Sequence, residues 1–432
     1  MNTLSFPAFL DTLRTSPDVT GVFAACKKGA FPLELEGCEG AFTALLLGLL
    51  SRSLPGRLLA VTPTDREAEE LASDLETLGV ESDIFPWWGA MPYREMAPLS
   101  AVFGERTRVL ASLAGGGRGV VIAPERAFLT PLPPPEYIRR LLVTLRPGGK
   151  IDTPRLAETL VGYGYTRTPR VQVHGEFTLR GEVLDILLGG EEEAYRVLFD
   201  FDRVESIKRF DPRDQSGHEL VDALVLRPVK EVVWSDDRIE ALSRNLSALE
   251  EFPGKGRVFL EDLMTRRETG GEELLFPLAF DSPESPPAVL LDYLDPNGTV
   301  CYIDRERLEN AQEALEREYE GLYRAALREA SGRPAAPTAA GTRAGTGKAA
   351  NAAPIRELPA PRRILLKFKD LAPRIPRRIS FMTIKGGGEA GATRLEVACD
   401  PPRSFFGNIN YLKEEFDSLI KQGWRIIIAA ES

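Results

Sequence analysis

Apolar and polar residues alternate most clearly between His174 and Asp211. Phe177 and Leu179 alternate with Thr178 and Arg180, the period of two that a half-buried antiparallel strand requires. Gly181 interrupts the run where a bulge or a close backbone approach is tolerated, and Val183 to Leu188 resumes it before Gly189-Gly190 and an acidic turn. A second run sets Tyr195, Val197, Phe199 and Phe201 on one face and Arg196, Leu198, Asp200 and Asp202 on the other. The chain then turns near Asp202-Arg203, and Val204 to Phe210 completes a three-stranded meander. One apolar face on three strands predicts a small α+β domain covered by a helix. That helix is predicted just upstream, where Asp152-Thr153-Pro154 supplies capping oxygens and a first-turn proline ahead of Leu156, Leu160 and Val161. The opposite face of the sheet is left for solvent or a partner.

On both sides of the meander the pattern becomes repeated strand and helix. Phe6 to Arg14 has helical spacing, and Gly21 to Ala25 reads as a short strand. Leu33 to Glu36, Arg57 to Thr62 and Gly119 to Pro124 read as strands, with helices over Ala41 to Leu50, Asp65 to Leu78 and from Gly104 onward. Such units over residues 20 to 125 predict a parallel sheet. Pro131 to Pro135 marks a boundary, residues 137 to 147 read as the first strand of an inserted domain, and Pro228 closes the insertion. The chain then returns through a strand (Glu231 to Trp234), a helix (Asp236 to Leu249), a strand (Gly298 to Asp304) and a charged helix ending near Ala330.

The predicted fold class is therefore α/β. A split nucleotide-binding-like domain over 1–130 and 229–330 carries a small α+β domain at 131–228. Residues 331–360, rich in Ala, Pro, Gly and Thr, read as a flexible linker. Residues 361–432 read as the start of a further small α/β domain that stops on a strand, so the chain is expected to be a fragment.

Composition narrows the chemistry. At 432 residues the chain exceeds one compact core. A net charge of −10 argues against a surface that is basic throughout, as a nucleic-acid glove would be. Cys26, Cys38, Cys301 and Cys399 have no CxxC spacing, and His174 and His218 are the only histidines, so metal sites and triads lack raw material. Ala41 to Leu50, the longest apolar run in the first half, is about half of a bilayer span. A reducing cytoplasm and no membrane fit these features.

Three stretches invite a functional reading. Gly37-Cys38-Glu39-Gly40, leading to Thr43, lies between strand and helix, where a phosphate-binding loop belongs. No lysine occurs between Lys28 and Lys150, and Glu39 puts a carboxylate in the loop. A lysine about 5 Å from a phosphate contributes roughly 3 kcal/mol per charge pair at an effective dielectric of about 20, and a carboxylate there reverses the sign. ATP is not expected to bind. Trp87, Trp88 and Tyr93 stand in a proline-punctuated loop and could stack on bases, but packing onto the domain explains them as well. Between Arg362 and Arg378 seven basic residues face one acid, by default a solvated basic stretch that could touch nucleic acid. Gly345-Thr346-Gly347-Lys348 lacks the strand and hydroxyl of a phosphate loop and is set aside.

The strings HGEFTLRGEVLDIL and YRVLFDFDRVESIKRFDP resemble the second domain of the fold of UvrB, an excinuclease protein. That domain also occurs at the amino-terminal end of the bacterial transcription-repair coupling factors, the Mfd family. Phe85 to Tyr93 is similar to their F-P-x-W-x-x-x-P-Y segment, in place of the DNA-threading hairpin of UvrB. Leu290 to Leu294 and Phe405 to Ala430 resemble the same family more weakly.

The resemblance implies that Arg167 and Arg180 contact UvrA, the damage-recognition ATPase of excision repair, with Arg170, Phe177 and Thr178 in the same partner-binding set. Thr178 stands where the family has another arginine. It implies a degenerate phosphate loop at Gly37, Glu39, Gly40 and Thr43, a non-catalytic portion without a cofactor, and a longer parent. That parent would be an ATP-dependent translocase using ATP and Mg in its motor, and meeting RNA polymerase and double-stranded DNA. The alternatives are a truncated repair helicase of the UvrB type and an unrelated α/β nucleotide-binding enzyme, both of which predict ATP binding.

Overall fold

The computed structural model describes residues 11–424 except 39, 95–99, 218, 255, 282–286, 331–356, 384–388, 398 and 400–408, together with residue 426. The helix Pro17–Lys28 replaces the strand expected at Gly21 to Ala25. Local caps decide this. The Ser16 hydroxyl accepts from the Val19 amide, Pro17 opens the first turn, and Gly29 closes the helix in the left-handed region at φ 71°. Of the helix expected at Phe6 to Arg14, residues 11–14 are helical, and the rest lies outside the described residues.

Strand β1 (Leu33–Glu36) leads into a buried helix (Ala41–Ser53), and β2 (Leu58–Thr62) into a helix at Asp65–Thr77. Strand β3 (Ser82–Ile84) forms an edge, and the helix Ser100–Ala114 precedes β4 (Val120–Pro124). That helix begins ahead of Gly104, the residue expected to lead it.

The inserted domain opens with a helix, Pro135–Leu141, and a short strand β5 (Val143–Leu145), not one strand over 137–147. Pro135 occupies the first helical turn, where its missing N–H costs nothing. Helix Thr153–Gly162 starts as expected, with the Asp152 carboxylate accepting from the Arg155 amide at 3.1 Å. Leu156 and Leu160 are buried beneath it, whereas Val161 is 58% exposed, against expectation. Strands β6 (Thr166–Arg167), β7 (Glu176–Arg180), β8 (Val183–Leu187), β9 (Ala194–Asp200), β10 (Arg203–Phe210) and β11 (Glu219–Leu220) form the second sheet in the order β11-β10-β9-β8-β7-β6. It is antiparallel except where β6 runs parallel to β7. Strand β12 (Leu224–Leu226) pairs with β5 and closes the insertion. Phe177, Leu184, Ile186, Tyr195, Val197, Phe199, Val204 and Ile207 pack beneath the helix as one core. Phe201, expected on this face, is instead in the turn, at φ 52° and 85% exposed.

The segment 231–234 is not a strand, although Val232 and Trp234 are buried. Helices Asp236–Ser247 and Arg257–Arg266 pack with Trp88, Trp234 and Phe276 in a satellite core. Strand β13 (Thr299–Ile303) and the long helix Arg305–Ala330 follow. The expected linker lies almost wholly outside the described residues.

The boundary expected at 361 does not hold. Strand β14 (Arg378–Met382) inserts between β1 and β13, and β15 (Thr393–Glu396) lies on the other side of β1. The seven-stranded parallel sheet reads β15-β1-β14-β13-β2-β4-β3, so residues through 396 complete the first domain. Alternate residues of its strands feed two cores, Leu59 and Val61 into one and Leu58 and Ala60 into the other. Burial on both faces is the usual condition of a parallel sheet.

Two glycines seat the insertion on this scaffold. A Cβ on Gly104 would come within 2.5 Å of the Gly189 Cα, so the helix and the β8–β9 turn touch backbone to backbone. Arg227 reinforces the joint, donating to the Gly189 carbonyl at 2.7 Å and to Glu191 at 2.9 Å.

Candidate partner-binding surface

Strand β7 carries opposite chemistry on its two faces. Phe177 is fully buried in the domain core, so it sets the strand's seat and offers nothing to a partner. Thr178 points the other way and is also buried, opposite Asp185 in the register. Asp185 is already taken by Arg196, whose guanidinium donates to it twice, at 2.7 and 2.8 Å, and to the Gln215 side chain at 3.0 Å. Arg196 also stacks 4.8 Å from the Phe210 ring centroid. Val171, Leu187, Ala194 and Phe210 form a small second core on this side, so the sheet's outer face is partly roofed instead of open.

Beside that roof, the three arginines come together. Arg167 pairs in register with Phe177 yet reaches along the strand to donate to the Leu179 carbonyl at 2.8 Å. Arg180 reaches back to the Pro169 carbonyl at 2.5 Å, and Arg170 donates to the Arg213 carbonyl at 3.1 Å. All three are exposed. Among the described residues none of them pairs with a carboxylate, whereas Arg196, Arg209, Arg213 and Arg227 in the same domain all do. A backbone carbonyl orients a guanidinium and leaves its charge uncompensated. Such a planar fork is suited to a carboxylate or an aromatic face on another protein.

The loop from Gly37 to Gly40 sits where a phosphate loop would, between β1 and the next helix. Gly40 caps that helix at φ 56°, ψ −142°, and gives it no side-chain hydrogen bond. Cys38 and Thr43 are buried, and burial pushes the Cys38 thiol up to about 12. The Gly37 amide donates to the Met382 carbonyl at 3.1 Å, and a Cβ on Gly37 would meet the Val397 carbonyl oxygen at 2.6 Å. Neighbouring strands thus press on the loop, and Thr43 offers no accessible hydroxyl. Glu39 lies outside the described residues.

Trp87 and Trp88 are buried, 8% and 4% exposed, and present no stacking surface. Trp88 donates to Glu231, and Arg106 lies between the Phe85 and Trp88 rings at 4.2 and 4.7 Å while pairing with the same carboxylate. This buried knot, invisible in the sequence, ties the aromatic loop to the segment after the insertion. The basic stretch is likewise spent internally. Arg362 pairs with Glu251, Arg363 with Asp281, Arg374 with Asp292 and Arg378 with Glu389, and Arg377 stacks 4.9 Å from Phe31. Lys367 and Lys369 are exposed. Among the described residues no helix is long and apolar enough to cross a membrane.

Residues 143–231, the meander with its covering helix, match the family model described as the UvrB interaction domain. The class is therefore a UvrB-like interaction module inserted in an α/β scaffold. Over 401 residues, 92% of its length, the chain is 27% identical to a transcription-repair-coupling factor of Borreliella burgdorferi. It is 31% identical over 221 residues to that of Rickettsia typhi, and 27% identical over 282 residues to that of Haemophilus influenzae, matches that take in 51% and 64% of this chain. These matches agree with the sequence motifs: residues 143–231 are similar to the UvrB interaction domain, and most of the chain is similar to transcription-repair-coupling factors. The chain spans about a third of the length of the first of these relatives, 32%, and 19% and 24% of the other two.

Proposed function

We propose that this chain is a docking module that recruits UvrA to sites of stalled transcription in nucleotide excision repair. Arg167, Arg170 and Arg180 form the contact. The observation that carries this reading is that these three exposed guanidinium groups gather along β6, β7 and the loop between them without a carboxylate partner among the described residues, on a UvrB interaction domain where Arg196, Arg209, Arg213 and Arg227 each have one. In the same reading the module is cytoplasmic, non-catalytic and without a cofactor. The longer protein to which it corresponds moves along double-stranded DNA with ATP and Mg and displaces RNA polymerase.

Charge reversal tests the reading. Arg180→Glu is expected to weaken binding of purified UvrA by about thirtyfold or more in calorimetry, the loss of about 2 kcal/mol or more that a desolvated interface charge gives. The melting temperature should not move, because Arg180 has one exposed hydrogen bond in the fold. Unchanged affinity would remove this surface from consideration.

A further inference from the structure

The same end of the meander carries a side chain whose placement the fold does not require. Phe201 occupies the turn between β9 and β10 at φ 52°, a conformation that bulky residues seldom adopt, and its ring is 85% exposed. A glycine would relieve the backbone, and a polar residue would suit the solvent. Strain that the fold does not repay is a pointer to use.

The register shows where this ring stands. Val183 pairs with both Arg180 and Leu198, and the Phe199 amide donates to the Glu182 carbonyl at 2.8 Å. The turn after Arg180 and the turn holding Phe201 are therefore neighbours at one end of the sheet. Two strand spacings, about 10 Å, separate β7 from β9. Phe201 and Asp202 also wall a shallow groove of about 540 Å³, closed on its other side by Lys150 to Pro154.

We infer that Phe201 is an aromatic anchor of the partner surface to which Arg180 belongs. This rests on the reading of the arginines as the dock for UvrA, and extends it from a charged patch to a charged and aromatic sheet end. The fitting partner surface is acidic opposite Arg167, Arg170 and Arg180 and has an apolar recess for the ring, whose own turn carries the exposed Asp200 and Asp202. A second copy of this chain is the competing occupant, and the sedimentation arm below separates it from UvrA. Interface hot spots are enriched in large aromatic residues and arginine.

The test uses Phe201→Gly, which fits the observed backbone. Its melting temperature should equal or exceed that of the unsubstituted chain, while its affinity for UvrA in calorimetry falls at least tenfold. Phe201→Tyr, which keeps the ring, should bind within a fewfold of the original. Loss of affinity in Arg180→Glu but none in Phe201→Gly overturns the anchor and leaves the proposed function standing. No binding by the unsubstituted chain overturns the function and the anchor with it. A lower melting temperature for Phe201→Gly shows that the fold uses the ring, and overturns the inference. So does a dimer of the chain alone, in sedimentation, that Phe201→Gly dissolves.

Discussion

The Gly37–Thr43 loop and the arginine face of the meander are opposites. The loop has a glycine turn between a parallel strand and a helix, the setting of a phosphate site, without the side chains that would hold a phosphate. It has no lysine, its threonine is buried, and the Val397 carbonyl oxygen would lie 2.6 Å from any Cβ at Gly37. The arginine face has little architecture beyond an exposed edge, yet its charges are left unspent. In the proposed function the α/β domain serves as a scaffold, and the contact lies on the domain inserted in it. Whether charges are satisfied from within separates the two regions better than their shape does.

If the nucleotide-like fold survives as scaffold, its interior should be sensitive where its loop is not. Arg106→Ala strands the Glu231 carboxylate in the core, and should cost about 3–5 kcal/mol in urea denaturation. A loss below about 1 kcal/mol would mean the knot does not hold the aromatic loop. On the other region, Arg180→Glu should cost about 2–5 kcal/mol of binding and almost nothing of folding. The reverse pattern would erase the distinction between them.

A smaller effect belongs to Glu125 at the end of β4. Burial lifts its carboxyl from an ordinary 4.5 to about 8, and neither oxygen has a hydrogen-bond partner in the fold. The folded state keeps the proton where the unfolded chain releases it. Its contribution is therefore most favourable below about 4.5 and declines as the pH rises to about 8. Glu125→Gln should flatten this slope and stabilise the chain by on the order of 1–3 kcal/mol at pH 8, with little change at pH 5. An unchanged slope in denaturant melts at the two pH values would show that Glu125 finds a partner. The smallest predicted effect is zero. Millimolar Mg-ATP should leave the melting temperature where it is, whereas a rise of several degrees would restore the rival reading of a repair helicase.

The meander was legible because a period of two, interrupted by glycine, is a strong local signal, and its motifs are long. The outward placement of Arg180 was readable from the same alternation. What escaped the sequence was non-local or set by a single cap. Strand β14 joins β1 and β13 from residues distant in the chain, and no local pattern announces its neighbours. Ser16 and Gly29 turned the apolar run at 21–25 into helix. Arg106 and Glu231 are 125 residues apart, so neither signals the other. Phe201 continues the alternation of β9, and only the turn's left-handed backbone sends it outward.

Hydrogen exchange, with and without saturating UvrA, compares both regions in one sample. The account predicts added protection of amides over 166–182 and 199–203, with none over 37–43. Protection at the glycine loop with the meander unchanged would contradict it.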